Sequence, residues 1–179
     1  MPTTKPNKHP GKRAAHSTSV ADLVARLGSR NGVQRYAARH ALVTLGERAI
    51  DPLIAALSAQ RDVTRWEAAK ALGEMHAARA APALIQALEC DDTEVRFLAG
   101  EALVGLGRAA LLPLCEALLT RPDSVLLREG AHHVLRALND GPLADIVGPV
   151  LAMLDHYEPE LAVPLSAEAA VRKLKQRGA

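Results

Sequence analysis

Seven histidines, two cysteines and a set of carboxylates are the side chains that could bind a metal or attack a substrate. Their spacing argues against either chemistry. His132 and His133 are adjacent, so on a helix their side chains diverge by about 100° and do not readily share one ion. His9 and His16 fall in a polar leader. Cys90 and Cys115 sit in or beside predicted helices rather than in a paired framework, which reads as reduced thiols and a cytoplasmic setting. No Ser/His/Asp order and no phosphate-cradling glycine loop is present in a supporting context. Gly73, Gly100, Gly105 and Gly130 lie within helical patterns, where glycine marks close helix contact. No cofactor and no metal are expected.

Recognition has a clearer pattern than reaction. Arg35-Tyr36, Arg65-Trp66, Arg96-Phe97 and Arg128-Glu129 each lead through an alanine (Ala38, Ala68, Ala99, Ala131) to a leucine (Leu42, Leu72, Leu103, Leu135). The arginines are spaced by 30, 31 and 32 residues, as in a repeat architecture. A planar guanidinium can bond several carboxylate and carbonyl oxygens. The arginine column therefore reads as structural, with Asn31, Asp62, Asp92 and Asp123 as the local candidate partners. The adjoining column, Tyr36, Trp66, Phe97, Glu129 and Glu168, points away from the face that packs on a partner helix. One turn further on come His40, Lys70, Glu101, His133 and Arg172. His40 and His133 are then roughly 30 Å apart, at about 10 Å per helix layer, too far for one ion. Exposed aromatics aligned in this way suit a protein or peptide partner. The candidate binding residues are Tyr36, His40, Trp66, Lys70, Phe97, Glu101, Glu129 and His133.

The elements that hold these columns are helical. Hydrophobic residues make up 49% of the chain and aromatics only 2%, with Ala and Leu dominant. Both lose little entropy in a helix, so the fold class is all-α. Residues 1–18 contain Pro2, Pro6, Pro10 and Gly11, with Lys5, Lys8, Lys12 and Arg13 and no acid, and are expected to form a disordered basic tail. The rest, residues 19–177, reads as one repeat domain with no basic stripe of the kind a nucleic-acid surface needs. A nucleic-acid partner would therefore have to engage the tail. No apolar run approaches the roughly 20 residues of a membrane helix, and the basic leader has no apolar segment of a secretory signal after it.

Ser19 or Thr18 can cap a helix with Val20, Leu23, Val24 and Leu27 on its apolar face, ended by Gly28. Asn31 can cap the next, from Val33 to Leu45. Later pairs open near Asp51-Pro52, Ala81-Pro82, Leu112-Pro113 and, irregularly, Asp140-Gly141-Pro142. Their second helices run over 63–75, 95–106, 125–138 and, after a loop with Pro159 and Pro164, 166–175. Pro52, Pro82, Pro113 and Pro149 read as helix starts. Gly46, His76, Gly107, Asn139 and Gly178, each four residues past a column leucine, read as left-handed stops, His76 the least suited. No pair buries its apolar stripe alone, so the five must stack. Ala167 replaces the column arginine in the fifth, which reads as a cap.

These patterns resemble the HEAT-repeat superfamily, in particular the short repeats of phycobilisome lyases, across residues 19–177. The resemblance rests on Asp62-Val63-Thr64-Arg65 and Asp92-Thr93-Glu94-Val95-Arg96 ahead of the Ala and Leu positions. It implies a right-handed α-solenoid of about five helix pairs, second helices on the concave side, with column arginines that pair with turn aspartates and tie adjacent units together. The columns lining that side then read as the binding surface of a non-catalytic scaffold for another protein or peptide. It also holds open an enzyme or a bilin lyase-like subunit working with a partner. The stretch from Arg65 to Gly73 is similar to a deoxyhypusine hydroxylase repeat. Trp66, Tyr36, Phe97 and Glu129 stand where that family places its iron-binding histidine, and of any His-Glu pair only Glu67 remains.

Overall fold

A computed structural model describes residues 18–178. Among them are ten α-helices and no strand: α1 (Val20–Leu27), α2 (Gly32–Leu45), α3 (Glu47–Ala56), α4 (Asp62–Glu74), α5 (Ala81–Ala87), α6 (Thr93–Leu106), α7 (Arg108–Thr120), α8 (Val125–Leu138), α9 (Ala144–Leu154) and α10 (Pro159–Gly178). Short 3₁₀ turns at Ala78–Ala80 and Gly141–Leu143 precede α5 and α9. Apart from Thr18, the expected basic tail lies outside the described residues.

Side-chain caps set four of the helix starts. Ser19 forms a reciprocal capping box with Asp22 at α1, and Asn31 accepts from the amides of Val33 and Gln34 at α2. Asp92 and Ser124 cap α6 and α8 in the same way. Each satisfies amides that the first turn of a helix leaves unpaired.

Glycine sets two of the joints. Gly46 (φ 60°, ψ −136°) and Gly107 (φ 57°, ψ −129°) each end one helix and start the next without an intervening residue. A side chain with a Cβ is strained in that conformation. His76 also has positive φ, at 47°. Asn139 does not (φ −81°), and Gly178 lies inside α10, so the left-handed reading fails at both.

The prolines depart further from the sequence reading. Pro82 sits in the first turn of its helix, but Pro52, Pro113 and Pro149 lie inside α3, α7 and α9. Gly46 and Gly107 launch α3 and α7 a full turn earlier than the prolines suggest, so each proline interrupts a helix already under way. A proline there cannot donate to the carbonyl four residues back. At Pro149 that carbonyl belongs to Asp145, and Lys173 Nζ takes it at 2.9 Å. Pro159 and Pro164 also form no loop. Pro159 opens α10 and Pro164 lies within it.

The helices build a two-layer α-solenoid. α2, α4, α6 and α8 pack on one another in order, while α1 meets α3 and α5 meets α7 in the other layer. Between the layers lies a continuous leucine and alanine core, with Leu27, Leu42, Leu53, Leu72, Leu84 and Leu103 wholly buried. Truncating any one of these to Ala is worth about 2–5 kcal/mol. The last pair breaks the order. α10 rests on α7 and α9 rather than extending the layer behind α8, and Lys175 Nζ lies 3.0 Å from Glu116 on α7. Glu168 and Arg172 therefore do not continue the columns of the first four units.

Candidate functional site

The four column arginines share one contact that the sequence did not reveal. Each donates to the carbonyl six residues back, in the turn after the preceding first helix: Arg35 to Ser29 (2.9 Å), Arg65 to Ala59 (3.0 Å), Arg96 to Cys90 (2.8 Å), and Arg128 to Pro122. A guanidinium thus satisfies a turn carbonyl that no helix ladder pairs. Of the expected turn partners only Asp62 bonds its arginine, Arg65. Asn31 and Asp92 are instead taken up as helix caps, and Asp123 has no ion-pair partner among the described residues. The ties between units go to other carboxylates. Arg35 reaches Glu67 at 3.2 Å, Arg65 reaches Asp91 at 3.0 Å, and Arg128 lies 4.0 Å from Glu160.

Glu67 is therefore spoken for. It is 6% exposed, with Arg35 on one carboxylate oxygen and Arg39 on the other. Arg39 also reaches Glu74 at 2.9 Å and lies 5.4 Å over the ring of Tyr36. The one carboxylate left from an iron-type His-Glu pair thus serves as a buried counter-ion between units. Among the described residues, no three His, Cys, Asp or Glu side chains gather as a metal site. His132 and His133 diverge as adjacent helix positions must. Nε2 of His132 lies 2.9 Å from Asp155, and Nε2 of His133 lies 2.8 Å from Glu101, on opposite neighbours.

The structure distributes the eight candidate residues into four places. Tyr36, 60% exposed, stacks on His40 with ring centroids 6.4 Å apart at the N-terminal end. Trp66 is half-buried rather than open, and its indole N–H donates to Asp92 Oδ1 at 3.2 Å. Asp92 thus receives both the Val95 amide and that indole, which hold its carboxyl below the usual range. Lys70 is exposed and shares a hollow with Arg39, Glu74 and Glu101. The remaining three meet between α6 and α8.

There Phe97, 57% exposed, lies 6.0 Å from the His133 ring, over a hollow of about 270 Å³. Its floor is Leu88, Leu126, Gly100 and Gly130, and Glu129 stands at its edge. The glycines create the depth. A Cβ on Gly130 would come within 2.9 Å of Leu88, and one on Gly100 within 3.1 Å of His133. The sequence flagged both glycines as close contacts but gave no sign that they floor a hollow. Leu88, 45 residues before His133 on a first helix, was missed altogether. Chemically, the hollow offers an apolar floor beside the Phe97 and His133 rings, with Thr93, Arg96 and Glu129 also on its lining and Glu129 in no ion pair among the described residues. That suits seating an apolar side chain rather than bond-making.

The chain belongs to the HEAT-repeat family, whose model matches residues 20–103 and again 50–139. It is 31% identical over 105 residues to the phycocyanobilin lyase subunit alpha of Synechocystis sp., an alignment covering 54% of this chain and 39% of that one. The chain thus spans about two fifths of the length of that curated relative. Among solved structures it resembles the complex of CpcE and CpcF of phycocyanin lyase from Nostoc sp., with 26% identity and a TM-score of 0.50. That match covers 97% of this chain and 71% of the other. Among the described residues no helix is long and apolar enough to cross a membrane.

Proposed function

We propose that the chain is a HEAT-repeat scaffold that binds another protein or peptide on the exposed face of its second helices, centred on Phe97, Glu129 and His133. One observation carries the reading: the solvent-facing Phe97 ring beside a glycine-floored hollow between α6 and α8. Aromatic side chains next to apolar pockets concentrate binding energy at protein interfaces. Tyr36 and His40 extend the same face toward the N-terminus, with Trp66, Lys70 and Glu101 between. The test is affinity capture from the native host with mass spectrometry, using the intact chain and a Phe97→Ala/His133→Ala variant whose helical melt is unchanged. The reading expects a partner recovered by the intact chain and lost by the variant. Equal recovery by both would place binding elsewhere.

A second reading, that the chain is a subunit of a bilin lyase-like enzyme, is favoured by its similarity to phycocyanobilin lyase subunit alpha. Incubation with phycocyanobilin followed by gel filtration tests it. Visible absorbance travelling with the protein would support the subunit reading, and a colourless protein peak would leave the scaffold reading alone.

A further inference from the structure

The two ends of the array differ in charge and share one flaw. Between Arg136 and Arg172 the sequence holds six carboxylates and no Lys or Arg. Asp155 meets His132 and Glu160 lies 4.0 Å from Arg128, while Asp140 and Glu158 join no ion pair among the described residues. The four cations that follow turn back on the chain: Lys173 and Arg177 to Asp145, Lys175 to Glu116, and Arg172 to Glu168 at 4.0 Å. At the other end, residues 18–45 carry four arginines against the single Asp22. Arg35 and Arg39 are held by Glu67. Arg26 and Arg30 are exposed and join no ion pair among the described residues. The basic residues Lys5, Lys8, Lys12 and Arg13 precede this end in sequence.

Both ends also present apolar side chains to water. On α10, Leu161 is 68% and Leu165 75% exposed, one turn apart and opposite the buried face of Val163, Ala167 and Ala170. Tyr157 stands exposed beside them with Glu158. On α2, Val33 is 77% exposed, with Ala37 also open one turn on. End units of a repeat array ordinarily turn a polar face outward, because an apolar end offers the next unit a place to stack.

We infer that these ends are complementary and that a second copy of this chain docks on the first, its Arg26/Arg30/Val33 end against the Glu158/Leu161/Leu165 end. Burial of leucine and valine drives the contact, and arginine facing carboxylate sets its polarity. The two surfaces differ, so each copy keeps one free end and association continues beyond the dimer. The contact uses neither Phe97 nor His133 and is independent of the scaffold reading.

Sedimentation of the intact chain over a range of concentrations tests this, at low and at high salt. The mass is expected to climb with concentration past that of a dimer and to fall with added salt, as screened charges require. Leu161→Glu/Leu165→Glu spoils one end, and Arg26→Glu/Arg30→Glu spoils the other. Each variant, checked for an unchanged helical melt, should self-associate at least ten-fold more weakly. Mixed together, the two should form a one-to-one dimer and nothing larger, because each retains the end its partner lost. A chain monomeric at every concentration overturns the inference. So does a mixture that stays monomeric, and so do variants that each still dimerise alone, which would mean that like ends pair.

Discussion

Arg35 and Glu67 meet across the first boundary between units, guanidinium Nε to carboxylate Oε1 at 3.2 Å, and the corresponding pair at the second boundary is Arg65 and Leu98. The consequence is visible in the second arginine. Arg65 Nε is buried without a hydrogen-bond partner among the described residues. One repeat thus contains both the satisfied and the unsatisfied form of the same contact.

Glu67→Ala is expected to destabilise the fold by about 3 kcal/mol, because it leaves Arg35 and Arg39 without their shared, buried counter-ion. Urea denaturation followed by helical circular dichroism measures it. A loss below about 1 kcal/mol would mean that the two arginines find water as readily as carboxylate.

Leu98→Glu should supply the acceptor that Arg65 lacks. Leu98 packs partly against the core, so the single substitution confounds a lost contact with a gained one. A double-mutant cycle with Arg65→Met separates them, and a favourable coupling of about 1 kcal/mol is expected. Zero coupling would show that the two boundaries are not equivalent in geometry.

Gly46→Ala and Gly107→Ala should each cost about 1–3 kcal/mol although nothing lies within 4 Å of the added Cβ at either site. The strain is in the backbone, at φ 60° and φ 57°. Gly32→Ala, which has no positive φ and meets only the Arg35 guanidinium at 3.6 Å, is the control and should be tolerated far better. Thermal melts of the three variants decide the point.

Asp145 gives a pH dependence. Arg177 donates to both of its carboxylate oxygens, at 3.1 and 2.6 Å, and lowers its pKa, with Lys173 adding to the effect. A depressed folded-state pKa contributes stability above the unfolded value, near 3.8, and that contribution disappears as the pH falls through the folded value. The gap in denaturation midpoint between the intact chain and Arg177→Met should therefore be present at neutral pH and close in acid. A gap that persists after Asp145 is protonated would assign the effect to packing of the arginine stem.

The sequence determined the local matters. A capping side chain acts over three or four residues, so Ser19 and Asn31 could be read directly, and α8 begins and ends where the periodicity places it. The repeat of arginine, alanine and leucine likewise required that helix pairs stack, because no pair buries its own stripe. The proline starts misled because Gly46 and Gly107 begin their helices a turn earlier, and a proline is tolerated inside a helix whose neighbours cover it.

Tertiary structure decided every contact between units. Nothing within a few residues of Arg35 names Glu67, 32 positions on, as its partner in place of the nearer Asn31. Nor does local pattern show that Trp66 spends its indole N–H on Asp92, that Leu88 floors the hollow beneath Phe97, or that α10 lies against α7. Helical periodicity fixes which way a side chain points. What it meets there depends on how neighbouring helices are set against one another, and that is settled only when the whole core packs at once.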